Sequence, residues 1–263
     1  MTRKEFELRQ ARRDRRIAVI GASIVFASLI ALYAVLTDLT HALDPVLFPG
    51  LGVILPEMAA SAPELFKGFL YSMRLLIPSL AAGILAGVTC GLVVGMHPKV
   101  KLVLMPLFRA LNPVPPTMLI PYAIAVLPSF WLSSAVIIFL GVFWPVLMST
   151  LHGVVMLEPR WIDNARCLQL TGRKLVFKVI LPGAMPQIFA GVGSGLIFSF
   201  ILLTVAEMFG AKAGMGFYVQ YYADFAEYGK VLGGIIFLSA VVILLMTVFD
   251  RIQRRVLYWT NKR

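Results

Sequence analysis

Long apolar runs constrain this chain more than any other feature. Six runs of 19 to 26 residues stand out, four of them uncharged and two with a single charge, Arg109 or Glu207: Ile17 to Leu36, Leu75 to Met96, Leu102 to Leu127, Trp131 to Ser149, Ile188 to Met208 and Val231 to Phe249. At about 1.5 Å per residue, a helix of that length crosses a hydrocarbon layer roughly 30 Å thick. A soluble helix would interleave polar residues every three or four positions, and these runs do not. With 59% hydrophobic and only 14% charged residues among 263, the chain holds more apolar material than one soluble core needs. The expected fold class is therefore all-α, a polytopic membrane protein with about six transmembrane helices. The third run carries Arg109, Pro113, Pro115, Pro116 and Pro121. It is expected as a broken or kinked helix packed against protein rather than lipid.

Charge gives the topology. The net charge is +11, yet twenty of the 24 Lys and Arg residues fall in Met1 to Arg16, His97 to Arg109, Leu151 to Pro182 and Arg251 to Arg263, which are alternate connections between the spans. That distribution follows the positive-inside rule and places both termini in the cytoplasm. It speaks against a nucleic-acid partner, which would need the basic residues on one folded patch; the bilayer is the partner implied. The expected organisation is a basic cytoplasmic segment 1–16, a transmembrane domain 17–249 with a cytoplasmic segment at 151–185, and a basic tail 250–263. Met1 to Leu36 has a basic head and an apolar body, but the apolar part is too long for a cleaved leader and reads as a first span. Cys90 and Cys167 form no framework, and His41, His97 and His152 lie on separate connections at no ligand spacing, so no metal site is expected.

Between the first two spans, Met58 to Tyr71 reads as an interfacial helix on the outer face. In the second span Gly83, Gly87, Gly91 and Gly95 recur every four residues and form one stripe on a helix. Such a stripe lets a second backbone approach closely, so a tight helix-to-helix contact is expected there.

Ile162 to Pro186, "IDNARCLQLTGRKLVFKVILPGAMP", breaks the apolar pattern. Pro159 suits the first turn of a short amphipathic helix through Trp161, Ile162, Ala165 and Leu168. Gly172 marks a break, and a second helix from Arg173 to Ile180 is expected to stop before Pro182. About 35 residues with their own helical pattern exceed an ordinary connection. Docking to another protein is the expected role, with Arg166, Arg173 and Lys174 able to meet carboxylates and Trp161, Leu168 and Leu170 supplying apolar area.

At this segment the sequence resembles the membrane-spanning permease subunits of binding-protein-dependent ABC importers, in the sulfonate, taurine and nitrate branch. The family signature is E-A-A, three residues, G, and later I-x-L-P. Here Asp163 stands for the Glu, Asn164 and Ala165 for the alanines and Gln169 for the Gly, while Ile180, Leu181 and Pro182 lie in "VILPGAMP". "NPVPPTMLIP" (Asn112 to Pro121) is similar to the family's "RPVPPLAWLP", and "AEMFGAKAGMGF" (Ala206 to Phe217) to its "AELxxxxxGLGF". The usual "FGxGE" is replaced by "LPSFWLSS". Glycine at the Gln169 place permits a tight turn that glutamine makes less freely, so Gly172 is expected to take over the bend.

The resemblance implies a type I importer fold in the cell inner membrane. It implies a second permease subunit forming a homodimer, two cytoplasmic ATPase subunits that bind ATP and Mg, and an extracytoplasmic solute-binding protein. This chain would bind no cofactor and would not be an enzyme. It would carry a small anionic or zwitterionic solute such as a sulfonate, taurine or nitrate. Trp161, Asp163, Asn164, Ala165, Arg166, Leu168, Gln169, Gly172, Leu181 and Pro182 would form the ATPase-coupling segment.

For the pathway itself, Glu207 is an acidic residue deep in an apolar run and therefore either faces a cavity or makes a structural hydrogen bond to the turn carrying Gly210, Gly214 and Gly216. Ser194, Ser199 and Thr204 either line the pathway or satisfy backbone groups, and Gln220 lies among interfacial tyrosines. The alternative is an ATP-independent secondary transporter or channel, which usually calls for several intramembrane acids. The chain contains no H-E-x-x-H, G-x-S-x-G or G-x-x-x-x-G-K-[ST] motif, so neither an intramembrane hydrolase nor an ATP cradle is encoded.

Overall fold

The computed structural model describes residues 3–40 and 42–259. Most side chains of the basic segment 1–16, His41 and the last residues of the basic tail lie outside the described residues. The described chain is helical, without strands. In order come α1 (Arg3–Ala34), α2 (Leu51–Ala60), α3 (Ala62–Met96), α4 (Pro98–Leu111), α5 (Ile120–Val126), α6 (Phe130–Val155), α7 (Pro159–Cys167), α8 (Gly172–Leu175), α9 (Leu181–Gly210), α10 (Met215–Asp224) and α11 (Tyr228–Val256). Five helices among the described residues are long and apolar enough to cross a membrane: Ile20–Leu39, Ala62–Met96, Phe130–Val155, Gly172–Gly210 and Tyr228–Val256.

The chain divides into two compact units. One comprises residues up to Ser61 with Tyr222–Gly233. In it α1 exposes apolar side chains around its circumference, including Ile20, Ile24, Phe26 and Leu29, as a lipid-facing helix does. A wider π turn, Val35–Leu39, ends it. The Leu51 N–H donates to the Asp38 carboxylate at 3.1 Å, giving the orphan donors at the start of α2 a charged partner.

The second unit comprises Ala62–Tyr221 and Gly234 onward. Its centre is α6, flanked by α3 and α9. A Cβ placed on Gly83, Gly87, Gly91 and Gly95 of α3 would lie 2.7, 2.9, 2.6 and 2.9 Å from the Cβ atoms of Val142, Val146, Thr150 and Val154 on α6. Two residues four apart lie one above the other on a helix face, so each glycine receives one side chain of the facing stripe. The second flank repeats the device: Gly191 of α9 accommodates Ser149, and Gly153 of α6 accommodates Gln187. Around these contacts Leu75, Leu76, Ile138, Val142, Val146 and Leu203 are almost wholly buried.

Two expectations are corrected, and the break expected in Leu102 to Leu127 is found. Met58 to Tyr71 is not one interfacial helix. It is interrupted at Ser61, and Ala62–Tyr71 forms the first turns of the 35-residue α3, because Pro63 is suited to a first helical turn and the helix continues to Met96 through Pro78. The run Leu102 to Leu127 is broken where Pro113, Pro115 and Pro116 remove donors, leaving α4, a 3₁₀ turn (Pro116–Leu119) and α5. Within this chain α4 buries no residue, and only Ile120 and Ala123 of the later part are buried. The helix expected to stop before Pro182 runs on from Gly172 to Gly210. A π turn at Val176–Ile180, with the Leu181 N–H donating to the Val176 carbonyl, widens the helix where the Pro182 ring would clash and its N–H is missing.

If the glycine stripe sets the separation of α3 and α6, Gly91→Ala will destabilise the chain by about 1–3 kcal/mol through overpacking. Gly21→Ala on α1, where a Cβ meets nothing within 4 Å, will be neutral or stabilising by about 1 kcal/mol. Thermal midpoints in detergent measure both, and equal midpoints would contradict the close approach.

Candidate functional site

The short helix α7 is fixed at both ends by its own sequence. Pro159 occupies its first turn, with the Trp161 N–H donating to the Glu158 carbonyl at 3.0 Å. At the other end the Gln169 N–H donates to the Arg166 carbonyl (2.9 Å) and the Leu170 N–H to the Ala165 carbonyl (3.0 Å). Those two bonds make a Schellman termination, which requires a left-handed residue at Gln169. Gln169 adopts it, with φ of 56°, and Gly172 is left-handed as well, with φ of 53°. The expectation that Gly172 replaces the bend of residue 169 is thus corrected: the segment turns at both places. Glutamine is tolerated because the two carbonyls at the helix end gain partners that offset the backbone strain.

Within α7, Ala165 is buried at 4% exposure, Trp161 is 41% exposed and Leu168 is 74% exposed. The Trp161 ring lies over Gly183 of α9, where a Cβ would be 3.2 Å from it. Asp163 and Arg166 form a long 3.8 Å ion pair on the exposed surface. Two cavities flank the helix. One, about 610 Å³, is lined by Trp161, Asn164, Ala165, Leu168, Pro182 and Trp259, among others. The other, about 790 Å³, is lined by Asp163 and Arg166 of α7 and by Lys101 and Arg109 of α4, among others. Leu181 begins α9 and is half-buried. Trp259 was read only as part of a basic tail. Its aromatic ring so close to a terminus was the available signal.

A third cavity, of about 610 Å³, lies among the proline-broken segment, α6 and α9. Its polar groups are Asn112, Thr117, Trp144, Ser149 and Ser194, set among apolar walls. Sequence reading brought only Ser194 to it. Asn112 and Thr117 belong to the "NPVPPTMLIP" stretch, whose prolines hold the backbone out of helical pairing.

The other expected pathway residues lie elsewhere. Ser199 is fully buried and donates to the Leu196 carbonyl at 2.7 Å, so it serves its own backbone. Thr204 donates to the Phe200 carbonyl at 2.9 Å and borders a smaller apolar groove of about 330 Å³. Gln220 is half-buried on α10. Glu207 is fully buried and lines none of the three cavities described above. Its carboxylate accepts from the Ser72 hydroxyl at 2.6 Å and from the Gly216 N–H at 2.8 Å, and the Ser72 oxygen accepts from the Met215 N–H at 3.0 Å. Gly214, with φ of 133°, leaves the room that the carboxylate occupies. Of its two readings, Glu207 takes the structural one, tying α3, α9 and the start of α10 together. No group of three or more His, Cys, Asp or Glu side chains suited to a metal ion occurs among the described residues.

Residues 82–258 match the family described as binding-protein-dependent transport system inner membrane component. The taurine transport system permease protein TauC of Escherichia coli is 32% identical over 188 residues, covering 72% of this chain and 68% of that one. The nitrate import permease protein NrtB of Leptolyngbya laminosa is 27% identical over 194 residues, covering 72% and 70%. In fold, the chain is similar to a chain of an amino acid ABC transporter crystallised with histidines (TM-score 0.58, 15% identity, 74% of this chain and 94% of that one). It is similar also to a chain of the inward-facing MetNI methionine ABC transporter (TM-score 0.58, 18% identity, 75% and 98%). A buried three-helix layer, a structured helix–turn–helix between two of its spans and a family match over most of the chain agree: this protein belongs to the inner membrane components of binding-protein-dependent transport systems, the ABC importer permeases.

Proposed function

We propose that this permease forms half of a homodimeric translocation pathway for a small anionic or zwitterionic solute and is driven through α7 by a separate ATPase subunit carrying ATP and Mg. An extracytoplasmic binding protein delivers the solute. The solute class rests on the relatives named for taurine and nitrate. The third cavity suits it chemically, because neutral donors such as Asn112, Trp144 and Thr117 can pass an anion along without trapping it, while the Ser194 hydroxyl already donates to the Ala190 carbonyl at 3.2 Å. The charge distribution supports a cytoplasmic position for both termini.

The observation that carries the coupling role is the mounting of α7. It is joined to α6 by three residues, and the turn after it feeds a helix that continues without interruption to Gly210. No flexible linker absorbs motion, so a displacement of α7 must move α6 and α9. Leu168 stands out into solvent at 74% exposure and is the apolar group available to a partner. Ala165 is turned inward and takes part in the helix termination. A bulky charge at Ala165 would disturb the chain itself, whereas Leu168 tests docking alone.

Leu168→Glu will leave the thermal midpoint of the isolated chain unchanged and weaken retention of the co-expressed ATPase by about tenfold to a hundredfold, the loss of one buried leucine. Uptake in proteoliposomes supplied with binding protein, solute and ATP will fall with it. Full retention of the ATPase by this variant would sink the docking role. A second substitution probes the turn. Gln169→Gly will stabilise the chain by about 1 kcal/mol by relieving the left-handed strain, and Gln169→Val will destabilise it by at least as much, both read by thermal unfolding.

A further inference from the structure

We infer that the cavity of about 790 Å³ between α4 and α7 is a binding site for an oxoanion of the phosphate class, carried by an anionic lipid headgroup or free in solution. It shares no lining residue with the third cavity or with the apolar cavity on the other flank of α7. Three cations line it, Lys101 and Arg109 from α4 and Arg166 from α7, against the single carboxylate of Asp163. Lys101 and Arg109 are eight residues apart with Met105 midway, so on a helix they occupy one stripe and both present charge to the same space. Arg166 faces them from the second wall. Its pairing with Asp163 is long, 3.8 Å, and both side chains are about two-thirds exposed (67% and 68%), so the carboxylate neither neutralises nor holds it firmly. The remaining wall is largely apolar, and walls of low dielectric focus the field of the cations on the space between them. Guanidinium and ammonium groups lining one space match the charge and the several acceptors of an oxoanion.

The apolar surroundings connect the cavity to lipid. Leu102 lines the cavity and is exposed, and Val103 and Leu107 extend the apolar surface of α4 beside it. A diacyl phospholipid would place its phosphate on the cations and its chains along these residues. The same chemistry also admits a soluble oxoanion. The residues that line the site all belong to this chain.

The test uses the full chain in nanodiscs of phosphatidylcholine, with or without phosphatidylglycerol, and native mass spectrometry of the released protein to count retained anionic lipid. Hydrogen exchange of residues 98–111 and 159–167 is read in parallel, with inorganic phosphate titrated into the phosphatidylcholine discs as the soluble arm. Lys101→Gln with Arg109→Gln will lower retention, or the phosphate affinity, by about tenfold or more, and Asp163→Asn will raise it. Lys99→Gln, an exposed lysine on α4 outside the cavity lining, will change neither. Protection by phosphatidylglycerol alone assigns the lipid source, and protection by phosphate assigns the soluble one. Protection by neither overturns the site, as does a loss in Lys99→Gln equal to that of the double variant, which would reveal only general attraction of a basic surface. Thermal midpoints equal to that of the unmodified chain verify that the variants fold.

Discussion

The approach of α3 to α6 across a row of glycines is the constraint on which the rest of this structure depends. In a bilayer, apolar side chains gain little by leaving lipid for protein, so helices associate through close packing and hydrogen bonds rather than through the hydrophobic effect. Removing four side chains from α3 brings its backbone against the carbonyls of Phe139, Phe143 and Leu147, near which the missing Cβ atoms would lie at 3.1, 3.0 and 2.9 Å. Because Val142, Val146, Thr150 and Val154 are branched at Cβ, they are stiff and fill the row without losing much rotamer freedom. Glycines on α6 and α9 continue the pattern to the other flank, and the three helices become one layer with α6 in the middle.

That layer is fastened at one end by a polar device and at the other by a structural one. The Glu207 carboxylate and Ser72 hydroxyl join α9 to α3 and receive the first N–H groups of α10, satisfying donors that a buried helix start would otherwise leave orphaned. A buried acid bound by two donors and enclosed by Gly214 is poorly suited to follow a passing solute, and well suited to fix where the turn after α9 begins. Toward the far ends of α3 and α6, α7 grips α9 through Trp161 over Gly183. The proposed lever is thus attached to the three-helix layer, with the third cavity lying beside it.

What the sequence disclosed follows from which physics is local. The glycine row was legible because its period of four is a helical property of one segment, and the facing residues on α6 needed only to exist. The short helix α7 was legible through Pro159, its amphipathic pattern and the length of the connection. The left-handed Gln169 was not, because a Schellman turn is stabilised by the carbonyls it satisfies, and a glutamine there carries no mark distinguishing it from one on a helix. Pro182 misled for the opposite reason. Proline reliably opposes a regular helix, but a π turn one residue earlier changes the hydrogen-bond register and removes the conflict. The place of Trp259 beside α7 depends on a contact between distant parts of the chain, which no pattern within the tail encodes.

The position of α7 between two chemically opposite cavities gives its short sequence a consistent meaning. On a helix, residues 161, 164, 165 and 168 share one face, and these line the apolar cavity; residues 162, 163 and 166 share another, and these line the basic one. A helix of nine residues has too few side chains to stabilise itself, so its orientation is fixed by what each flank contains. In the proposed mechanism a ligand in either cavity would bias the angle at which Leu168 is presented, and the turn at Gln169 would pass that bias into the helix beginning at Gly172. A ligand acts on such an element only through a difference in affinity between its two orientations. The basic flank, where one carboxylate opposes three cations, is the side on which an anion can supply that difference.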